Sequence, residues 1–236
     1  MAKKKPAIVK FAGPWTMSKL RDFETCRLQF KFKFVEKREE KRGAALMRGE
    51  RIHTEIERYL TGRSGSLPES VQRGLKKPMI HLHGDKRVVV EKLWAHDRKW
   101  MPLADMWDAS AYVRGKTDAA MFEPNLVRII DFKTGKIYPE NKDQLLGYGI
   151  MGLMRLAVRH GKTKLAKLKA LLENWYIDQD QIIEATITGE EVADAIEDLD
   201  RRAQRIYDEI AFPAEPGVHC RWCSFRRMNG GPCAHG

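Results

Sequence analysis

The chain has 236 residues, and its 43 Lys+Arg exceed its 32 Asp+Glu by 43 − 32 = 11, with 43% apolar residues and four cysteines. No segment approaches the ~18 consecutive apolar residues of a membrane helix, and the basic start, Met1 to Pro6, is not followed by the apolar stretch of a signal peptide, so a soluble, cytoplasmic chain with no membrane contact is expected. In a reducing compartment four cysteines point to a metal or a reactive thiol rather than to disulfides, and the positive excess points to a polyanion such as nucleic acid or, more simply, to solubilising charge.

Residues 1–14 read as a basic arm ending at Gly13-Pro14; residues 1–60 hold sixteen Lys/Arg against eight Asp/Glu, so 16 − 8 = 8 of the excess charges lie there. Ser18 is the expected N-cap of a helix that places Leu20, Phe23, Cys26 or Arg27, and Phe30 on one face. The spacing of Leu46, Gly49, Ile52, Ile56 and Tyr59/Leu60 predicts a second helix from Ala44 to Leu60. A loop over Gly62 to Pro68 leads to a short helix that Pro78 should stop near Lys77. Arg87–Trp94, Ala111–Phe122 and Leu126–Phe132 read as strands, the last two as a hairpin around Glu123-Pro124-Asn125. A long helix over Glu140–His160 follows, then strands Leu168–Ile177 and Gln181–Ile187 joined by Asp178-Gln179-Asp180. Thr188 and Glu191 form a capping-box pattern that should open a final helix reaching Ile210. This order gives a domain reading of arm (1–14), N-terminal helical region (15–86), α/β core (87–212) and cysteine-rich tail (213–236), with helices flanking a sheet.

The chemistry concentrates in two strands. Asp118 closes the run Gly115-Lys-Thr-Asp118, and Asp131 and Lys133 follow the apolar run Leu126–Ile130. Residues two apart in a strand share a face, so Asp131 and Lys133 point the same way. Two converging carboxylates repel unless a cation separates them, and Mg²⁺ or Mn²⁺ suits such oxygen donors. Lys133 could then orient or deprotonate a water, or stabilise developing charge; a plain Asp131–Lys133 surface pair is the simpler alternative. His53 lies beside the apolar stripe of the second helix, Gln144 and Tyr148 share a face of the long helix at i and i+4, and Glu91 lies on the first strand, facing this site or pairing with a nearby cation.

In order, His53, Gly115-Lys-Thr-Asp118, Asp131-Phe-Lys133 and Gln144-Leu-Leu-Gly-Tyr148 resemble the RecB-type branch of the PD-(D/E)XK nuclease superfamily, and the opening Ser18 to Phe30 is similar to that branch's N-terminal helix. The resemblance spans about residues 15 to 233. It implies a restriction-endonuclease-like core with a central mixed sheet, and a metal-dependent DNA nuclease, exonuclease by preference, serving recombination, repair or processing. His53, Asp118, Asp131 and the Phe132 carbonyl would bind the metal, Lys133 would serve the attacking water, and Gln144 and Tyr148 would position single- or double-stranded DNA. A helicase or recombination partner would fit, since the chain carries no helicase motif. The branch often has Glu where this chain has Asp131. A catalytically silent DNA-binding scaffold or accessory subunit is the alternative.

The cysteines are Cys26, Cys220, Cys223 and Cys233. Cys220-Arg-Trp-Cys223 is a chelating spacing. Spacing alone leaves open a Zn²⁺ site completed by His219 or His235, an all-cysteine iron–sulfur site, and a Cys26 that merely packs beside Phe23 and Phe30. One Cys before the nuclease motifs and three after them resemble the iron–sulfur members of the branch, CRISPR-associated exonucleases among them. That likeness implies a [4Fe–4S] cluster stapling residue 26 to the tail, although the gap from Cys223 to Cys233 is longer than in many members.

Overall fold

A computed structural model describes residues 10–71, 73–138, 141–160 and 162–235. Residues 1–9 of the expected arm, and Glu140 at the expected start of the long helix, lie outside them. The described chain divides into two compact units, one formed by residues up to Lys41 together with those from Asp198 onward, the other by Arg42–Glu197.

The larger unit holds a six-stranded sheet: β1 (Val88–His96), β2 (Pro102–Leu103), β3 (Val113–Phe122), β4 (Leu126–Lys133), β5 (Lys169–Tyr176) and β6 (Gln181–Thr188), in the order β2-β1-β3-β4-β5-β6. Every neighbouring pair is antiparallel except β4 and β5, which run parallel. A parallel pair cannot be closed by a tight turn and needs a crossover; here the segment between them contains the helix Asn141–His160. The chain is thus an α/β protein with a mixed sheet and flanking helices.

The two faces of the sheet have different partners. On one, Ala119, Ile130, Phe132 and Trp175 form a buried cluster with Ile52, Ile56, Tyr59 and Leu60 of the helix Ala44–Leu60, and with Leu75, Met79 and Leu82 of the helix Arg73–Leu82. On the other lies the helix Asn141–His160, whose Gly149 and Gly152 bring its backbone down on Leu172, Ile129 and Val127; a Cβ at Gly149 would stand 2.5 Å from Leu172 Cδ2. In chain order the helices of this unit are here called αA (Ala44–Leu60), αB (Arg73–Leu82) and αC (Asn141–His160).

Several boundaries depart from expectation. αB does not stop at Lys77 but runs through Pro78 to Leu82. An interior proline costs roughly 3 kcal/mol. Against this, αB buries Leu75, Met79 and Leu82, and the Asp180 carboxylate accepts the Gly74 and Leu75 amides at 2.7 and 2.9 Å. That carboxylate satisfies two of the orphan donors of the first turn from more than a hundred residues away, a contact local sequence does not display. The pairing β1–β2 is also new, because two residues are too few for a visible alternation. The last helix starts at Val192 and ends at Asp208, not at Thr188 and Ile210. Glu191 does bond back to the Thr188 amide and hydroxyl, at 2.7 and 2.8 Å, but this closes the turn ahead of the helix.

In the smaller unit the first helix is capped by Thr16, whose hydroxyl accepts the Lys19 amide at 3.1 Å, so Ser18 falls inside it. It spans Met17–Thr25 and breaks at Cys26, which is extended (φ −165°, ψ 114°), before a short helix at Arg27–Phe30. Phe30 is fully buried, edge-on to Phe23 and stacked on Phe212. Arg202 pairs with Glu24 through two bonds of 2.9 and 2.8 Å, tying the C-terminal segment of this unit to its N-terminal one.

Candidate active site

The site begins with a fork in the sheet. β3 and β4 are paired from Phe122↔Val127 only as far as Ala119↔Ile130. Beyond that point β3 continues along β1 toward Val113, while β4 continues along β5 to Lys133↔Tyr176. Asp118 and Asp131 are the first residues past the split, one on each branch. At the split the Phe132 amide donates to Asp118 Oδ2 at 2.7 Å. This fixes one oxygen of Asp118 and leaves the other, Oδ1, 3.5 Å from His53 Nδ1.

Glu91 joins them from β1. It sits between the paired residues Val90↔Ala119 and Lys92↔Thr117, opposite Asp118, with φ at +53°. The left-handed region costs a side-chain-bearing residue about 1–2 kcal/mol, and such strain gathers at functional sites. Glu91 also forms an ion pair with Lys116. His53, Glu91 and Asp118 each present a ligand atom within 4.8 Å of the others.

Asp131 lies deeper, 3% exposed. Its Oδ2 is 2.5 Å from Lys133 Nζ but has no in-line hydrogen bond. Burial pushes its pKa up, to about 6, and the Asp118 charge adds to this; Lys133 and His53 pull the other way without cancelling it. At His53 burial opposes the proton, but the hydrogen bond and charge of Asp118, with Asp131 and Glu91 behind, raise the imidazole above its ordinary value. Lys133 Nζ in turn donates to Gln144 Oε1 at 3.0 Å, and Gln144 Nε2 donates to the Tyr148 hydroxyl at 3.2 Å. Burial pushes the Tyr148 phenol well up, so it stays protonated. Its ring lies over Gly115, where a Cβ would stand 2.7 Å from Tyr148 Cε1. The glycine of the Gly-x-x-Asp run therefore makes room for the tyrosine of the Gln-x-x-x-Tyr pair.

All the residues singled out around this chemistry thus meet at one place: Glu91, Asp118, Asp131 and Lys133 from three strands, His53 from αA, and Gln144 and Tyr148 from αC. Sequence reasoning missed two neighbours. Asn174 and Tyr176 on β5 stand in register with Asp131 and Lys133; Tyr176 accepts from Asn141 Nδ2 at 3.1 Å, and Asn174 Oδ1 is buried without a partner. The visible signal was the polar pair Glu173-Asn174 between Leu172 and Trp175. The donor set suits a hard divalent cation: one imidazole nitrogen and carboxylate oxygens, with a buried Asp131 oxygen short of partners. In the smaller unit, burial pushes the Cys223 thiol up, with Cys26, Cys220 and Cys233 adding to the rise and the Phe225 amide opposing it.

The family model for the PD-(D/E)XK nuclease superfamily matches residues 14–228, and the chain belongs to that superfamily. Among solved structures it is similar to one titled "Crystal structure of SSO0001", with 15% identity over 97% of this chain and 90% of that one and a TM-score of 0.49. No curated protein matches the chain. Among the described residues no helix is long and apolar enough to cross a membrane.

Proposed function

We propose that this chain is a Mg²⁺- or Mn²⁺-dependent deoxyribonuclease of the RecB-like, iron–sulfur branch, acting as an exonuclease in DNA recombination, repair or processing. The observation that carries the reading is the fork: His53, Glu91 and Asp118 cluster there, with Asp131 and Lys133 on the opposite branch. His53, Asp118 and Asp131 would hold the cation, with Glu91 and the Phe132 carbonyl beside them. A bound divalent cation supplies Lewis-acid polarisation of a phosphate oxygen and a more acidic water. Lys133 stands beside Asp131 and orients the attacking water. Gln144 holds the lysine's ammonium through its carbonyl, and Tyr148 holds Gln144 through its hydroxyl. Their chain of bonds fixes Lys133 within reach of the fork, which is what proton transfer in the transition state requires.

The cysteines support the second part of the reading. Four thiols gathered in one unit fit Cys₄ ligation of a [4Fe–4S] cluster, whereas a Cys₃His zinc site would leave one of them unused. The cluster would be structural, converting metal affinity into folding stability. The test of the enzyme uses labelled linear single- and double-stranded DNA with Mn²⁺, with and without EDTA. EDTA-sensitive degradation by the wild type, absent in Lys133→Ala, is expected; a mobility shift without degradation would select the silent scaffold instead. The cluster is tested by colour and metal content: brown protein with about four irons per chain is expected, and colourless protein with one zinc after anaerobic purification would overturn it.

A further inference from the structure

Two segments that border the fork expose large apolar side chains. Leu46 and Met47, in the first turn of αA, are 54% and 57% exposed; Ile137 and Tyr138, just past the end of β4, are 40% and 55% exposed. The segments are neighbours. A Cβ on Gly49 would stand 3.1 Å from Thr134 Oγ1. Asp178 bridges them, accepting two bonds from Arg48 at 2.9 and 2.6 Å and the Gly135 amide at 2.6 Å. His53 lies five residues along αA from Arg48, and Lys133 lies two residues before Gly135. Lys136, next to Ile137, and Lys142, in the first turn of αC, are both exposed.

An apolar rim with cations around it fits one kind of nucleic acid. A duplex presents phosphates outward and keeps its bases stacked inside, so Leu, Met, Ile and Tyr gain little from it. An unpaired strand offers the faces of its bases along with its phosphates, and stacking platforms inside basic grooves are how such strands are held. We propose that Leu46, Met47, Ile137 and Tyr138 form a base-contacting rim that grips unpaired nucleotides beside the scissile phosphate, with Lys136 and Lys142 on the flanking phosphates. The inference rests on the nuclease reading and adds the form in which the strand is taken.

The test measures binding in EDTA, where cleavage is blocked, for three labelled oligonucleotides of equal length: a single strand, an abasic single strand and a blunt duplex. The wild type should bind the base-bearing strand more tightly than the other two. Tyr138→Ala combined with Ile137→Ser should weaken the base-bearing strand about 5- to 150-fold, the range of one lost base stack, and leave the abasic strand unchanged. Tyr138→Phe should restore binding, because stacking needs the ring and not the hydroxyl. Trp107→Ala, at an exposed aromatic with no place in the rim, should change nothing. Equal loss on base-bearing and abasic strands, or no loss on either, overturns the rim. If EDTA-sensitive cleavage persists alongside that result, only the rim falls; if the wild type neither binds any of the three nor cleaves in Mn²⁺, the nuclease reading falls with it.

Discussion

His96 should make the sheet unit sensitive to acid. It ends β1, is fully buried, and neither ring nitrogen has a hydrogen bond of normal geometry. Burial lowers its pKa to about 3, with the Arg155 charge adding to the effect and the nearby Met151 carbonyl offsetting little of it. The folded ring is therefore neutral, while the unfolded one takes a proton below its ordinary pKa of about 6.5. The stability this neutral ring permits is fully present above pH 6.5 and is lost as pH falls toward 3. The loss runs at about 1.4 kcal/mol per pH unit, hence about 2 kcal/mol at pH 5. His96→Phe removes the titrating group and leaves no buried polar atom unpaired, so at pH 8 it should be close to wild type. At pH 5 it should be the more stable of the two by about 2 kcal/mol. Urea unfolding followed by tryptophan fluorescence at both pH values measures the difference. Parallel loss of stability in wild type and variant between pH 8 and 5 would refute the buried neutral histidine.

Other outcomes follow from the same geometry. Lys133→Ala should lower the cleavage rate by about 10²–10⁴-fold, the usual contribution of a positioned proton-transfer group, with circular dichroism and DNA binding unchanged. Gly115→Ala drives a methyl toward the Tyr148 ring and should cost about 1–3 kcal/mol of overpacking; in a double-mutant cycle with Tyr148→Leu the costs should be strongly non-additive. Arg128→Met leaves Glu173, 1% exposed and otherwise bonded to the Trp175 indole, without the arginine that meets it at 2.8–3.0 Å. Breaking a buried pair from one side costs about 3–5 kcal/mol, visible as a lowered urea midpoint, and an unchanged midpoint would rule the pair out as a stabilising element. On the proposed four-cysteine ligation of a cluster, Cys223→Ser should remove the cluster's colour and most of its iron while leaving the sheet unit's far-ultraviolet signal in place.

The sequence was most legible where one period ran unbroken. αA carries its apolar residues at helical spacing over seventeen positions, and its expected limits, Ala44 and Leu60, are its actual ones. β4 and β6 were visible as β-rich runs bounded by turns. Asp131 and Lys133 could be picked out because they follow the apolar run Leu126–Ile130, whereas His53, Gln144 and Tyr148 stood out through the order of the motifs. What could not be read depends on residues far apart in the chain. Asp180 capping αB, the parallel register of β4 with β5, and the left-handed turn at Glu91 opposite Asp118 are set by tertiary neighbours. The residue types at positions 180 and 91 give no hint of those neighbours. The break at Cys26 is similar: nothing in Glu-Thr-Cys-Arg forbids a continuous helix, and the chain nevertheless leaves helical geometry there.

The division of the chain also bears on its synthesis. Arg42–Glu197 is one continuous stretch, so the sheet unit has all its residues before the last helix is complete. The smaller unit does not: its N-terminal half emerges first and must wait for the residues from Asp198 onward, across a gap of more than 150 positions. Closing so long a loop carries an entropic cost that grows only slowly with length, so the delay, more than the energy, is the hazard. Until the tail arrives, Phe30 lacks Phe212, and Cys26 is the unit's one cysteine. A chain cut before Phe212 would carry a finished sheet and an exposed aromatic half-core, so the residues from Asp198 onward decide whether the smaller unit closes.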